Sequence, residues 1–245
     1  MALVRRLLLA ALSLVLALVS PGQAQDERCP AVLERATHLV LVTAKTMSTP
    51  AARIRLFERA APGDSWRAIG KAESVVVGRA GMAWGYPFRT AASPGEPKKV
   101  EGDQRTPAGI YAIGRSFGFT ALPRNDHLVL KPGDSICVDD PNSPAYNTIS
   151  SRRSLGPKPH GEDMGTISLY RNGLVIDYPS DRASRAGSCI FLHVWRGPAK
   201  GTNGCVAMPE SRIETLQAFA EGSAAIAILP ERALTRFANC FPSLD

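Results

Sequence analysis

The sequence predicts a mainly β fold, drawn as a mixed, mostly antiparallel β-sandwich with one or two covering helices. Short runs rich in β-branched and aromatic residues recur along most of the chain, punctuated by Gly, Pro, Asn and Asp. Arg53-Ile54-Arg55-Leu56-Phe57-Glu58 alternates polar with apolar side chains, the period of a strand with one wet face. Asn172-Gly173 falls between two such runs, where residues tolerant of positive φ favour a tight hairpin.

The elements follow in chain order. Arg5 and Arg6 precede an apolar run from Leu7 to Val19, then helix-breaking Pro21-Gly22 and the small-x-Ala site Gly22-Gln23-Ala24. This is the pattern of a secretory signal peptide. Its apolar run is shorter than the roughly 20 residues that span a bilayer, so no stable membrane anchor is expected after cleavage. Residues 1–24 are therefore read as a leader and 25–245 as a single domain with its core at about 39–229, long enough to bury a sizeable interior. Strands are predicted at Leu39 to Thr43, Arg53 to Glu58, Ser74 to Val77, Leu128 to Leu130, Ser168 to Arg171, Leu174 to Tyr178, Ile190 to Val194 and Ala224 to Leu229. The clearest helix is Glu210 to Glu221 after Pro209, with Ile213, Leu216, Phe219 and Ala220 on one face and Gly222 as its stop. A short second helix is expected around Pro230 to Asn239. Ala91 to Asp103 and Asn142 to His160 lack an apolar period and are predicted to be exposed loops that frame a substrate groove.

The leader takes two of the 29 Lys and Arg and none of the 22 Asp and Glu, which leaves the mature chain at +5. A basic surface favours an anionic partner. For an exported protein that partner is a cell wall or membrane surface rather than nucleic acid, and a monomer is expected. The five cysteines are Cys29, Cys137, Cys189, Cys205 and Cys240, an odd number that leaves one thiol unpaired or bridged to another chain. Cys29 and Cys240 lie near the mature ends, which are often close in space, so they are expected to pair. Cys137 and Cys189 then remain for each other, and Cys205 is free. A rival pairing that consumes Cys205 stays open at this point. No C-x-x-C occurs and His38, His127, His160 and His193 are widely separated, so no metal centre is expected.

The candidate chemistry lies between Phe191 and Met208. Cys205 follows Gly204 and precedes a β-branched residue, a context that can set a thiol where a loop meets a strand beside free backbone N–H groups. His193, twelve residues earlier in an apolar run, is the candidate base. The competing reading is a buried free cysteine and an unrelated core histidine. Asp139 and Asp140 are candidates to orient His193 or bind a substrate amine, although Asp-Asp-Pro is more often a turn opening. His160 reads as an exposed loop residue, and Trp84, Trp195, Tyr146 and Tyr178 as groove or core aromatics.

Thr106-Pro107-Ala108-Gly109-Ile110-Tyr111, then Ile190-Phe191-Leu192-His193, then Thr202-Asn203-Gly204-Cys205-Val206-Ala207-Met208 together resemble the L,D-transpeptidase catalytic domain, the YkuD-like family, over about Leu39 to Leu229. Val138-Asp139-Asp140-Pro141 with Tyr146-Asn147, and Val75-Val76-Val77-Gly78 with Ala83-Trp84-Gly85, look like a bacterial branch of it. The resemblance implies a β-sandwich whose cysteine attacks the amide between a meso-diamino acid and a D-amino acid in a peptidoglycan stem. The terminal D-residue leaves, and the acyl group passes to the amine of a neighbouring stem. Carried over, Cys205 is the nucleophile and His193 the proton donor and acceptor. Gly204 and the Cys205 N–H are the oxyanion candidates, with Asn203 as helper. A depressed thiol pKa is expected of such a couple, and no metal or organic cofactor is implied. The chain departs at Ala207, where many members carry arginine; Arg196, or Arg152 and Arg153, are the candidates to supply that charge to a substrate carboxylate. The reading is an exported, periplasmic L,D-transpeptidase acting on stem peptides. Its alternatives are an L,D-carboxypeptidase or amidase that hydrolyses the same linkage, and a non-catalytic wall-binding module.

Overall fold

A computed structural model describes residues 29–242; the expected leader, 1–24, lies outside the described residues. The described chain is mainly β. Its strands are β1 (His38–Ala44), β2 (Ala51–Glu58), β3 (Arg67–Val76), β4 (Met82–Trp84), β5 (Thr106–Gly118), β6 (Leu128–Val129), β7 (Ser135–Cys137), β8 (Ile149–Ser151), β9 (Glu162–Asp163), β10 (Asn172–Asp177), β11 (Phe191–Val194), β12 (Val206–Met208) and β13 (Ala224–Pro230).

The sandwich expectation is overturned. Eight strands close on themselves in the order β1, β2, β3, β12, β11, β10, β5, β13 and back to β1, a mixed barrel. The pairs β1 with β13 and β11 with β12 are parallel, and the other six are antiparallel. Closure depends on β5, whose 13 residues pair with β13 along one edge and β10 along the other. Without a free edge there are not two separate sheets to stack. This longest strand escaped the sequence reading because Pro107 and Gly109 mark turns in isolation. Pro107 sits in the opening residues of β5, beside short parallel β4.

Alternation then sorts the side chains. On β2, Ala52, Ile54 and Leu56 turn into the barrel while Arg53 and Arg55 face out. They meet Val40, Val42, Leu174, Leu192, Val206, Ile226 and Ile228, all but excluded from water. Each fully buried aliphatic side chain of this kind contributes roughly 1.5–3 kcal/mol. Helix α1 (Ala31–Arg35) inserts Leu33 into a second cluster with Leu39, Leu41 and Phe57. The helix predicted at Glu210 runs from Glu210 to Phe219 and lays Ile213 and Leu216 on the barrel core. The second predicted helix, Glu231–Cys240, is 3-10.

Three further expectations change. Ser168–Tyr170 is a 3-10 turn rather than a strand, since Tyr170 N–H and Arg171 N–H bond three residues back. Asn172-Gly173 consequently makes no hairpin and opens β10. The segments read as exposed loops are partly interior. Between Ala91 and Asp103, Lys99 is 2% exposed, and Glu96 pairs with Arg232 and Arg236; against burial, which raises it, Arg236, the Ser93 N–H and Trp84 Nε1 hold its carboxyl down at about 2. Between Asn142 and His160 lie β8, the short helix Arg152–Leu155 and buried Tyr146.

β8, β7 and β9 form a small antiparallel sheet outside the barrel. The Cys137–Cys189 bridge fastens it to the segment before β11, and the Cys29–Cys240 bridge joins the two ends of the described chain. These are the expected pairings, and Cys205 is the free, buried cysteine. Closing loops of this length contributes on the order of 3–5 kcal/mol each in the chain-entropy picture.

Candidate active site

The site grows from the parallel pair β11 and β12. Leu192 registers with Val206, His193 with Ala207 and Val194 with Met208. Because side chains alternate, Leu192, Val194, Val206 and Met208 fill the barrel, while Phe191, His193, Cys205 and Ala207 share its outer face. That face packs against the small sheet through Phe117, Leu130, Cys137, Met164, Tyr170, Cys189 and Phe191. Cys205 is two residues from the partner of His193, about 7 Å along one strand and about 5 Å across to the next. The thiol bonds toward Phe191 and Cys189 and the imidazole toward Val194.

Cys205 is held from several sides. Its Sγ accepts the Phe191 N–H at 3.4 Å, and its thiol donates to the Cys189 carbonyl at 3.4 Å. Its own carbonyl accepts two hydroxyls, Thr202 Oγ1 at 2.6 Å and Thr106 Oγ1 at 3.1 Å. Thr106 Oγ1 also receives the Gly78 N–H at 2.8 Å, so the start of β5 is wired directly to the loop that carries Cys205. Gly204 has φ +158°, a conformation that L side chains rarely adopt, and carries the chain around to present the thiol. His193 donates from Nδ1 to the Val194 carbonyl at 2.8 Å, which fixes the tautomer and leaves Nε2 as the lone-pair nitrogen. Its ring meets Tyr170 edge to face at 5.2 Å, and the Tyr170 hydroxyl donates to Glu162 Oε2 at 2.7 Å.

The electrostatics contradict the expectation of a depressed thiol pKa. Burial, with a smaller contribution from the Glu162 carboxylate, pushes the Cys205 thiol up to about 12. Burial likewise draws His193 down to about 4. Both groups are neutral at rest because a low-dielectric pocket penalises each charged form. Burial also raises Glu162 above the usual carboxylate range.

The other predicted residues are distributed as follows. The Gly204 N–H is engaged by Thr202 Oγ1 at 3.1 Å, so it is not a free oxyanion donor. Asn203 is exposed, and its carbonyl oxygen accepts from Arg79. Arg196 is exposed on the loop after β11, within electrostatic reach of His193 and Tyr170. Arg152 is spent on the Gly156 and Pro159 carbonyls, and Arg153 lies exposed at the start of the short helix. Asp139 pairs with His160 rather than His193, and Asp140 caps the turn at Asn142. Trp84, Tyr146 and Tyr178 are core residues with internal hydrogen bonds. A cleft of about 310 Å³ runs beside the Cys137–Cys189 bridge, lined by Asn147, Ile149, Val175, Asp177, Tyr178 and Phe191. The residues that sequence reasoning missed are Tyr170, assigned to a strand, Glu162, and the Val194 carbonyl, which has no side-chain signature.

The sequence profile of YkuD, the L,D-transpeptidase catalytic domain, matches residues 50–228. No curated protein matches the chain. Among solved structures it is similar to the helical cell shape determining protein Pgp2 from Campylobacter jejuni, with 18% identity and a TM-score of 0.41. That similarity covers 80% of this chain and 48% of the other, so the chain spans about half the length of Pgp2.

Proposed function

Because the chain belongs to the YkuD family of L,D-transpeptidase catalytic domains, we propose that it is an exported peptidoglycan L,D-transpeptidase working through an acyl-enzyme on Cys205. One observation carries the reading: the single free cysteine shares a barrel face with a neutral, tautomer-fixed histidine one pleat away. Residues 25–245 act as one unit, and the two disulfides fit a protein that works outside the reducing cytoplasm.

The chemistry follows from the neutral resting pair. His193 Nε2 takes the thiol proton as Sγ attacks the carbonyl carbon of the amide before the terminal D-residue. Making the two events concurrent avoids a lone thiolate that the pocket disfavours. The Cys205 N–H, at the turn out of Gly204, is the donor for the developing oxyanion. Collapse breaks the C–N bond, His193 protonates the departing amine, and the D-residue leaves. The amine of a second stem then attacks the thioester, losing its proton to His193, which returns it to sulfur. The small sheet over this face keeps water from the thioester, which favours amine over hydrolysis. Ala207, fully buried beside His193, offers no carboxylate clamp, and Arg196, exposed on the loop after β11, is the candidate to meet one.

Incubation with purified sacculi followed by muropeptide separation tests this. New cross-links between diamino acids are expected, absent with Cys205→Ala. Shortened stems without cross-links would replace transfer with hydrolysis, and unchanged muropeptides would remove the enzymatic reading.

A further inference from the structure

Lys99 lies in a segment whose sequence reads as exposed loop, yet it is among the most deeply buried charged residues of the described chain, at 2% exposure. Its ammonium donates to Asp103 Oδ1 at 2.5 Å and to the Val100 carbonyl at 3.0 Å, two of its three donors. The stem passes over Gly187 so closely that a Cβ there would come within 2.6 Å of Lys99 Cε. At the far end, a Cβ on Gly204 would lie 3.9 Å from Nζ, so the ammonium sits against the residue that precedes Cys205.

The cost of this placement needs an account. Removing an ammonium from water is expensive, and an apolar pair of similar size would serve the fold as well or better. Asp103 has other partners as well: its carboxylate also accepts the Arg105 and Val100 N–H groups. We propose that Lys99 is a positioning residue for negative charge at Cys205, its buried ammonium set against Gly204 to stabilise sulfur as it becomes anionic. The proposal rests on the reading of Cys205 as nucleophile. The titratable groups acting on Cys205 from the other elements are Tyr170 and Glu162 on β9, whose carboxylate opposes a thiolate, while His193 on β11 shares its barrel face. Around Lys99 itself stand Asp103, with Arg105 bonded to it, and Arg89, which donates to the Lys99 carbonyl. Glu101 is turned away to Tyr146 and Ser188. Lys99 is thus a cation whose field favours the thiolate, against the larger opposing effects of burial and Glu162.

The test reads Cys205 directly, independently of any wall substrate: the rate of iodoacetamide alkylation of Cys205, located by peptide mapping, as a function of pH. Lys99→Met is expected to move the profile upward by about one pH unit, about tenfold slower alkylation at a fixed pH below the midpoint. Lys99→Arg is expected to restore most of the rate. Lys99→Met combined with Asp103→Asn removes both charges without leaving a buried carboxylate unpaired, and the same upward shift is expected. A folded neutral variant with the wild-type profile would overturn the proposal, as would loss of fold in both neutral variants, which would make Lys99 structural. Failure of cross-linking on sacculi with the shift intact would instead overturn the transpeptidase reading alone.

Discussion

The two faces of β11 and β12 put the same backbone to opposite uses. Inward, Leu192, Val194, Val206 and Met208 are almost completely excluded from water and need nothing but close packing. Outward, across the same seven strand residues, His193 and the adjoining Cys205 are nearly as buried, at 5% and 7%, but the sulfur and the imidazole Nδ1 are answered by backbone partners. One face accumulates stability. The other holds two titratable groups whose neutral forms burial extends over a wider pH range, on the rigid support of the barrel beneath.

The contrast can be broken most decisively at sulfur. Cys205→Ala should abolish cross-linking on sacculi while leaving the melting temperature within a few degrees of wild type, because only one small side chain is removed. His193→Gln should lower kcat by about 10²- to 10⁴-fold, the range for loss of a general acid and base, with the fold intact by circular dichroism. Leu192→Ala, one residue away but facing inward, should do the reverse. It should cost about 2–5 kcal/mol in denaturant unfolding while the folded fraction keeps its turnover per molecule.

A pH titration sharpens the same division. His193 titrates at about 4 in the fold against an ordinary value near 6.5, so the unfolded chain binds its proton first as pH falls. Stability should therefore drop between about pH 6.5 and 4, by on the order of a few kcal/mol, and His193→Gln should flatten that limb. Cys205, raised to about 12, releases its proton first in the unfolded chain, so a second loss should begin above about pH 9 and vanish in Cys205→Ala. Equal slopes in wild type and both variants would mean that the pair is solvated rather than enclosed. The smallest effect is expected at Thr106→Val. It strips one of two hydroxyls from the Cys205 carbonyl and leaves the Gly78 N–H unpaired, about 1–3 kcal/mol by unfolding, with a modest fall in kcat.

Much of this was legible in the amino acids, and the failures share a cause. β1, β2 and β13 were readable because their alternation or apolar runs are local properties. The closure of the barrel was not, because it is decided by β5 finding partners on both sides, a nonlocal event hidden behind Pro107 and Gly109. Cys205 and His193 could be named from residue type and spacing. Their charge states could not, since burial comes from the distant small sheet and reverses the expected direction of the thiol. Tyr170 was lost because Ser168–Arg171 has strand-like composition yet bonds as a 3-10 turn, and Lys99 because charged loops are ordinarily wet. Thr106 opens a motif of the sequence, but its hydroxyl's reach to a carbonyl 99 residues away exists only in three dimensions.

The most direct measurement is intact-mass spectrometry of the protein mixed rapidly with a stem tetrapeptide, followed by peptide mapping. A single adduct is expected on the Cys205 peptide, with the mass of the stem less its terminal D-residue, formed far more slowly in His193→Gln. Turnover of the stem with Cys205 unmodified, or turnover persisting in Cys205→Ala, would contradict a cysteine acyl-enzyme on this barrel face.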